Sequence, residues 1–281
     1  MEVQRREWEE SALNGILPQG TVIEPVLMNG VSGEMIHFPS SAASQVILFF
    51  HGGGYSQGSC ITHRKLAAHI SMESGKPVLL VDYRLAPENP FPAALEDGRK
   101  AYFWLLESKV KAKDIVFGGD SAGGGLAAAL LLYLRDTNAD LPAAAFLMSP
   151  WLDMTFMGES LLSRKDLDPM VSKEDMMHDA MNYCKGKNPE DPYISPVYGD
   201  LMGLPPLLIQ VGDHEVLLSD SARLAEKAQR AGVEVHLRVW DEMWHVWQAW
   251  MGELPEAGEA IAEIGRFING KLSRQDEDNG I

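Results

Sequence analysis

A serine framed by glycines, Gly119-Asp120-Ser121-Ala122-Gly123, carries the densest chemistry in this 281-residue chain. It fits Gly-x-Ser-x-Gly, with a strand-like run (114–118) leading in and a helical run (122–135) leading out. A tight strand-to-helix turn strains the backbone of its central residue and leaves that side chain at the tip. The residues two positions away on either side must then be almost free of side chain, as Gly119 and Gly123 are. Such a turn offers the Ser121 hydroxyl as a nucleophile and aims the Ala122 amide, at a helix N-terminus, toward developing negative charge. Close packing of helix on sheet, or a phosphate loop, would use the same glycines. Neither a Gly-x-Gly-x-x-Gly pattern nor a Walker lysine accompanies them.

A nucleophilic hydroxyl needs a base, a carboxylate to orient that base, and donors for the oxyanion. His51-Gly52-Gly53-Gly54 follows the apolar run 45–50 directly. Consecutive glycines let backbone amides approach a ligand oxygen closely, and a loop of this type is the usual partner of the elbow. Four histidines follow Ser121: His178, His214, His236 and His245. His236 falls inside a strand-like run and reads as structural, His178 falls in an irregular stretch, and His214 sits among the candidate acids. His245 comes after the last strand-like run, which fits the chain order nucleophile, acid, histidine. The loop after the preceding strand, Gly212-Asp213-His214-Glu215, offers two carboxylates. A metal site made of Asp213, His214 and Glu215 is the rival reading, but adjacent residues rarely converge on one ion and no second His/Cys cluster is evident.

The elements that must hold these residues alternate. Strands are expected at 21–28 and 33–38, joined by the hairpin signal Asn29-Gly30, and at 45–50, 77–82, 114–118, 143–148, 206–211 and 233–240. Helices are expected at 61–73, about 92–108, 122–135, 173–184, 218–231 and 255–271, with a frayed tail at 274–281. This order implies an α/β fold with a mostly parallel sheet of about eight strands, helices on both faces and an antiparallel start. Residues 1–20 read as a short amphipathic helix bearing Trp8 and Leu13, and 153–199 break the rhythm. Together they are expected to cap the strand ends, where open α/β sheets place their sites. The organisation expected is thus 1–20 as the N-terminal part of a cap and 21–281 as the catalytic domain, with 153–199 inserted in it.

Composition narrows the partners. A formal net charge of −16 argues against nucleic acid and against an anionic membrane surface. The longest apolar run, 126–134, is about half a membrane span, so no stable membrane insertion is expected. The charged start of the chain lacks the apolar core of a signal peptide, and Cys60 and Cys184 give neither a disulfide framework nor zinc spacing. A cytoplasmic location follows as the expectation, with both cysteines as small packing residues. A homodimer is compatible with the sequence.

His51–Gly54 and Gly119-Asp120-Ser121-Ala122-Gly123-Gly124, with Asp82-Tyr83-Arg84-Leu85-Ala86-Pro87-Glu88, resemble motifs of the microbial hormone-sensitive-lipase-like esterases (bacterial family IV). The likeness continues through Pro90–Asp97, Ser149-Pro150-Trp151 and Glu215-Val216-Leu217-Leu218, in the family's order, and spans roughly 21–270. It implies the α/β-hydrolase fold and serine carboxylesterase activity on short- to medium-chain acyl esters, with a small-molecule ester as substrate and no cofactor or metal. It also implies Ser121 as nucleophile, His245 as base, and the amides of Gly52, Gly53 and Ala122 as the oxyanion hole. Many members have Asp-Pro-Leu where this chain has Glu215-Val216-Leu217; aligning the leucine assigns Glu215, rather than Asp213, as the acid. The N-terminal cap is short for the family, and His51 is expected to hold the glycine loop. An amidase, N-acetyl-hydrolase or lactonase would use the same machinery, and a non-catalytic binding protein would keep the fold but lose the serine or histidine.

Overall fold

The computed structural model describes residues 1–41 and 44–277. The chain opens with α1 (Glu2–Ala12) and a hairpin of β1 (Val22–Met28) and β2 (Val31–His37). Asn29 and Gly30 turn the hairpin with φ of 49° and 87°, the left-handed geometry that a two-residue connection requires. Then follow β3 (Val46–Phe50), α2 (Cys60–Ser74), β4 (Val78–Val81), α3 (Ala93–Glu107), β5 (Ile115–Asp120), α4 (Ala122–Asp136) and β6 (Ala144–Met148). A long excursion carries the short α5 (Ser160–Ser163) and α6 (Lys173–Cys184). The chain then resumes with β7 (Leu207–Gly212), α7 (Leu218–Arg230), β8 (Val235–Trp240) and α8 (Pro255–Glu277).

The strands form one sheet in the order β1-β2-β4-β3-β5-β6-β7-β8. The β1–β2 and β2–β4 pairs are antiparallel, and every pair from β4 to β8 is parallel. Strands β3 to β7 are buried at every residue, which explains their continuous apolar sequences: helices cover both faces. The strand period of two divides the core. Leu48 and Phe50 pack with α3, α4 and α7, while Ile47 and Phe49 pack with α2 and α8. The chain is an α/β-hydrolase fold.

The differences from the sequence expectation lie at element ends and in short segments such as α5, which was not expected. Strand β5 runs two residues past Gly118, so pairing continues up to the serine. Helix α8 continues to Glu277, through the first part of the tail expected to fray; residues 278–281 lie outside the described residues. His236 is exposed and hydrogen-bonded to Glu234 at 2.9 Å, because β8 is the edge strand. Three 3₁₀ segments (112–114, 196–198 and 247–250) are too short to leave a periodic signal.

Both irregular segments meet the loop after β3. Arg5 of α1 donates to the carbonyls of Ser56 and Ala86, each at 2.7 Å, and pairs with Glu88 at 2.9 Å. On α6, Tyr183 stacks on Tyr55 with centroids 3.8 Å apart, and its carbonyl accepts the Phe91 N–H at 2.9 Å. Among the described residues no helix is long and apolar enough to cross a membrane.

Candidate active site

Ser121 links β5 to α4 with φ 51° and ψ −122°, the strained geometry that its neighbours in sequence imply. Its surroundings hold it there: its N–H donates to the Met148 carbonyl at 2.9 Å, and its own carbonyl accepts Trp151 N–H at 2.9 Å. The space a Cβ would need at Gly119 is filled by the Gly123 carbonyl, and that at Gly123 by the Phe50 and His51 carbonyls. Backbone cannot yield as a side chain can, so both positions exclude even alanine.

His245 and Glu215 come from the loops that follow β8 and β7. Nδ1 of His245 lies 3.0 Å from Glu215 Oε2. The other carboxylate oxygen accepts the Gly212 N–H at 2.6 Å and the Ser149 hydroxyl at 2.7 Å. Glu215 is fully buried, and Ser149 Oγ also accepts the Val246 N–H at 3.0 Å, so one hydroxyl ties the acid to the histidine loop. Burial by itself would lower the pKa of the enclosed imidazole. The hydrogen bond and charge of Glu215 outweigh it, and His245 stands above its ordinary value of 6.5. Asp213, the other candidate acid, instead accepts the Glu242 N–H at 2.7 Å and shapes the loop. His214 lies beside Asp213, and His178 is exposed on α6.

The glycine loop departs from expectation at one residue. The Gly52 N–H donates to Asp120 Oδ1 at 3.1 Å and lies 3.3 Å from His63 Nε2, so it is already committed. Asp120 ends β5 with its carboxylate buried, and Gly52, the second residue beyond β3, supplies a nearby amide. Gly53 and Gly54 have φ of 111° and 62° and, unlike Gly52, line the cavity that holds Ser121 and His245. The amides of Gly53, Gly54 and Ala122 have no acceptor within the chain among the described residues. His51 stacks on Tyr83 at 4.2 Å, and its Nδ1–H donates to the Gly52 carbonyl at 2.7 Å. Burial and the neighbouring His63 lower its pKa to about 3, which keeps it a neutral donor at the base of the loop.

The cavity measures about 670 Å³. Ser121, His245 and the glycine loop line it together with Trp8 of α1, Leu13 just beyond α1, and Met170, Met176 and Asp179 of the excursion. Among the described residues no group of three His, Cys, Asp or Glu side chains is placed to hold a metal ion. The sequence assigned no role to Ser149, Asp120, Gly54 or Asp179. Ser149 stood inside a family motif without a role, and its φ of 47° is invisible in the sequence.

The alpha/beta hydrolase fold family matches residues 47–249. Among curated proteins the chain is 43% identical to an acetyl-hydrolase of Streptomyces hygroscopicus, over 82% of this chain and 77% of that one. It is 40% identical to an esterase of Acinetobacter venetianus, over 90% and 84% respectively. An esterase structure from the bacterial hormone-sensitive lipase family superposes with a TM-score of 0.94 at 47% identity, over 96% of this chain and 91% of that one. The motifs, the sheet order and these likenesses agree across most of the chain. It belongs to the α/β-hydrolase family, within the hormone-sensitive-lipase-like branch of carboxylic ester hydrolases.

Proposed function

We propose that Ser121, His245 and Glu215 act as a catalytic triad that hydrolyses short- to medium-chain acyl esters through an acyl-enzyme. The observation that carries this reading is the Glu215–His245 hydrogen bond at the edge of a cavity that Ser121 also lines. With Nδ1–H donated to Glu215, Nε2 of His245 accepts the Ser121 proton as Oγ attacks the ester carbonyl. The amides of Gly53, Gly54 and Ala122 take up the oxyanion, with Gly54 in the role expected of Gly52. The imidazolium then protonates the leaving alcohol, water attacks the acyl-enzyme with His245 again as base, and Ser121 is released with the free acid. No cofactor enters these steps.

In the same reading, α1 and the excursion 153–199 form a cap that walls the acyl and alcohol sites. A series of p-nitrophenyl esters of increasing acyl length, with a stoichiometric burst and labelling of Ser121 by an organophosphonate, tests the assignment. A chain that neither bursts nor labels is a binding protein of the same fold. The likeness to an acetyl-hydrolase favours including N-acetyl amides in the substrate series, because the same groups open both bonds.

A further inference from the structure

Asp179 is out of keeping with a cavity built for neutral esters. It sits on α6, its side chain largely enclosed, and its carboxylate packs on the Cα of Gly54, where a Cβ would find no room. It therefore borders the loop that would receive the oxyanion. Burial raises its pKa to about 6, so it is ionised at neutral pH and above. The charges around it give it little compensation. On its own helix, His178 lies 3.9 Å away and faces solvent, while Asp175, one turn back, accepts the Ser172 hydroxyl at 2.6 Å. On the opposing loop it meets Ser56 and Gly54, which carry no charge. The two cationic side chains of the cavity wall are engaged elsewhere, Arg64 with Glu34 and Lys65 with Glu253.

An anionic group beside a forming oxyanion opposes the reaction of a neutral ester. The same charge becomes attractive when the substrate brings a cation. The cavity also presents three indoles, Trp8, Trp151 and Trp250, whose faces attract organic cations. We propose that this site selects esters that carry an organic ammonium group close to the scissile bond, with Asp179 as counter-charge and the indoles as its apolar wall. The proposal rests on the Ser121 hydrolase reading and names the substrate class for it.

Two substrate pairs test it. One is acetylcholine and its carbon isostere, in which tert-butyl replaces trimethylammonium. The other is the ethyl ester of γ-butyrobetaine and its corresponding isostere, which places the charge on the acyl side. At about pH 8 the charged member of at least one pair is expected to have the higher kcat/KM, by about tenfold. That ratio should fall at about pH 5, where Asp179 is neutral; titration of His245 affects both members and cancels. Asp179→Asn should collapse the ratio at pH 8 and raise kcat/KM for the neutral member, and the wild-type pH dependence tests the same point without a variant. Ratios near one in both pairs, a pH-independent ratio, or a preference that survives Asp179→Asn, each with neutral esters still hydrolysed, would overturn the proposal. Failure to hydrolyse any of these esters or p-nitrophenyl acetate would instead overturn the hydrolase reading beneath it.

Discussion

Around Ser121 and His245 the oxygens of the Glu215 and Asp120 carboxylates are accounted for. Glu215 receives Gly212, Ser149 and His245, and Asp120 receives Gly52 and faces His63. At α1 the ties are few, whereas the excursion is bonded to the core through Ser160, Asp168 and Tyr183. Helix α1 buries none of its residues, Leu13 and Met170 are more than half exposed, and Arg5 ties α1 to the loop after β3 and to Glu88. Under the proposed triad and cap, the contrast follows from what each wall would do. Proton transfer and oxyanion binding fail when groups shift by a fraction of an ångström, so the groups around Ser121 and His245 are over-determined by hydrogen bonds in a dry setting. Enclosing an acyl chain needs only apolar surface, so α1 can be loosely packed.

The contrast would break first at Ser121. Ser121→Ala should abolish ester hydrolysis with the fold retained, by a factor approaching about 10⁶ in kcat as in a serine protease. Residual activity above about a hundredth of wild type in protein free of other esterases would remove Ser121 from its role. Next comes the acid: Glu215→Gln should lower kcat by up to about 10⁴, and Asp213→Asn by about tenfold or less. The reverse ranking would place the acid on Asp213.

The pH profile sharpens the same point. His245 must be neutral to act as base, so kcat/KM for a neutral ester should rise with pH through an apparent pKa above 6.5. Glu215→Gln removes the charge that helps raise that pKa and weakens the hydrogen bond, leaving burial, the largest influence, opposed only by the lesser pull of Asp168 and Asp120; the acid limb should therefore move to lower pH. A limb that stays in place or moves upward would show that Glu215 does not govern His245. Ser149→Ala, which strips one partner from Glu215 and from the Val246 N–H, should cost about tenfold in kcat and about 1–3 kcal/mol of stability. Equal kcat in a folded Ser149→Ala would show that the acid is held without it.

Most of the fold was legible because the buried strands are continuous apolar runs and the turns carry their own chemistry, as at Asn29-Gly30 and Gly119–Gly123. Helix α6 was readable to its ends because Ser172 caps it by accepting the Asp175 N–H. Contacts between distant segments were not legible. Nothing local says that Asp120 takes the Gly52 amide 68 residues away, and that single bond is why the proposed oxyanion donors are Gly53 and Gly54 rather than Gly52. Likewise Asp179 reads as one more polar position on an amphipathic helix until the packing sets it against Gly54.

The smallest effect expected belongs to α1. Deleting residues 1–14 removes Trp8 and Leu13 from the cavity wall and Arg5 from its contacts with Ser56, Ala86 and Glu88. None of the hydrogen bonds that fix Glu215, His245 or Gly52 involves these residues. Two contacts run from α1 toward the glycine loop: Trp8, whose ring lies edge-on to His63 at 5.7 Å, and Arg5, which holds the Ser56 carbonyl. Loss of apolar wall weakens binding of the acyl chain in ground and transition state alike, which raises KM and leaves kcat nearly unchanged. The deletion should therefore raise KM several-fold for the longer p-nitrophenyl esters and hardly at all for the acetate, shifting the optimum toward short chains. Trp8→Ala should reproduce part of that shift, and Arg5→Ala another part, through looser seating of α1. If the truncated, folded enzyme keeps the wild-type acyl-length profile, α1 is no part of the acyl site. If kcat for the acetate falls as far as for longer esters, the Trp8–His63 or Arg5–Ser56 contact transmits to the oxyanion loop, and the two regions are not independent.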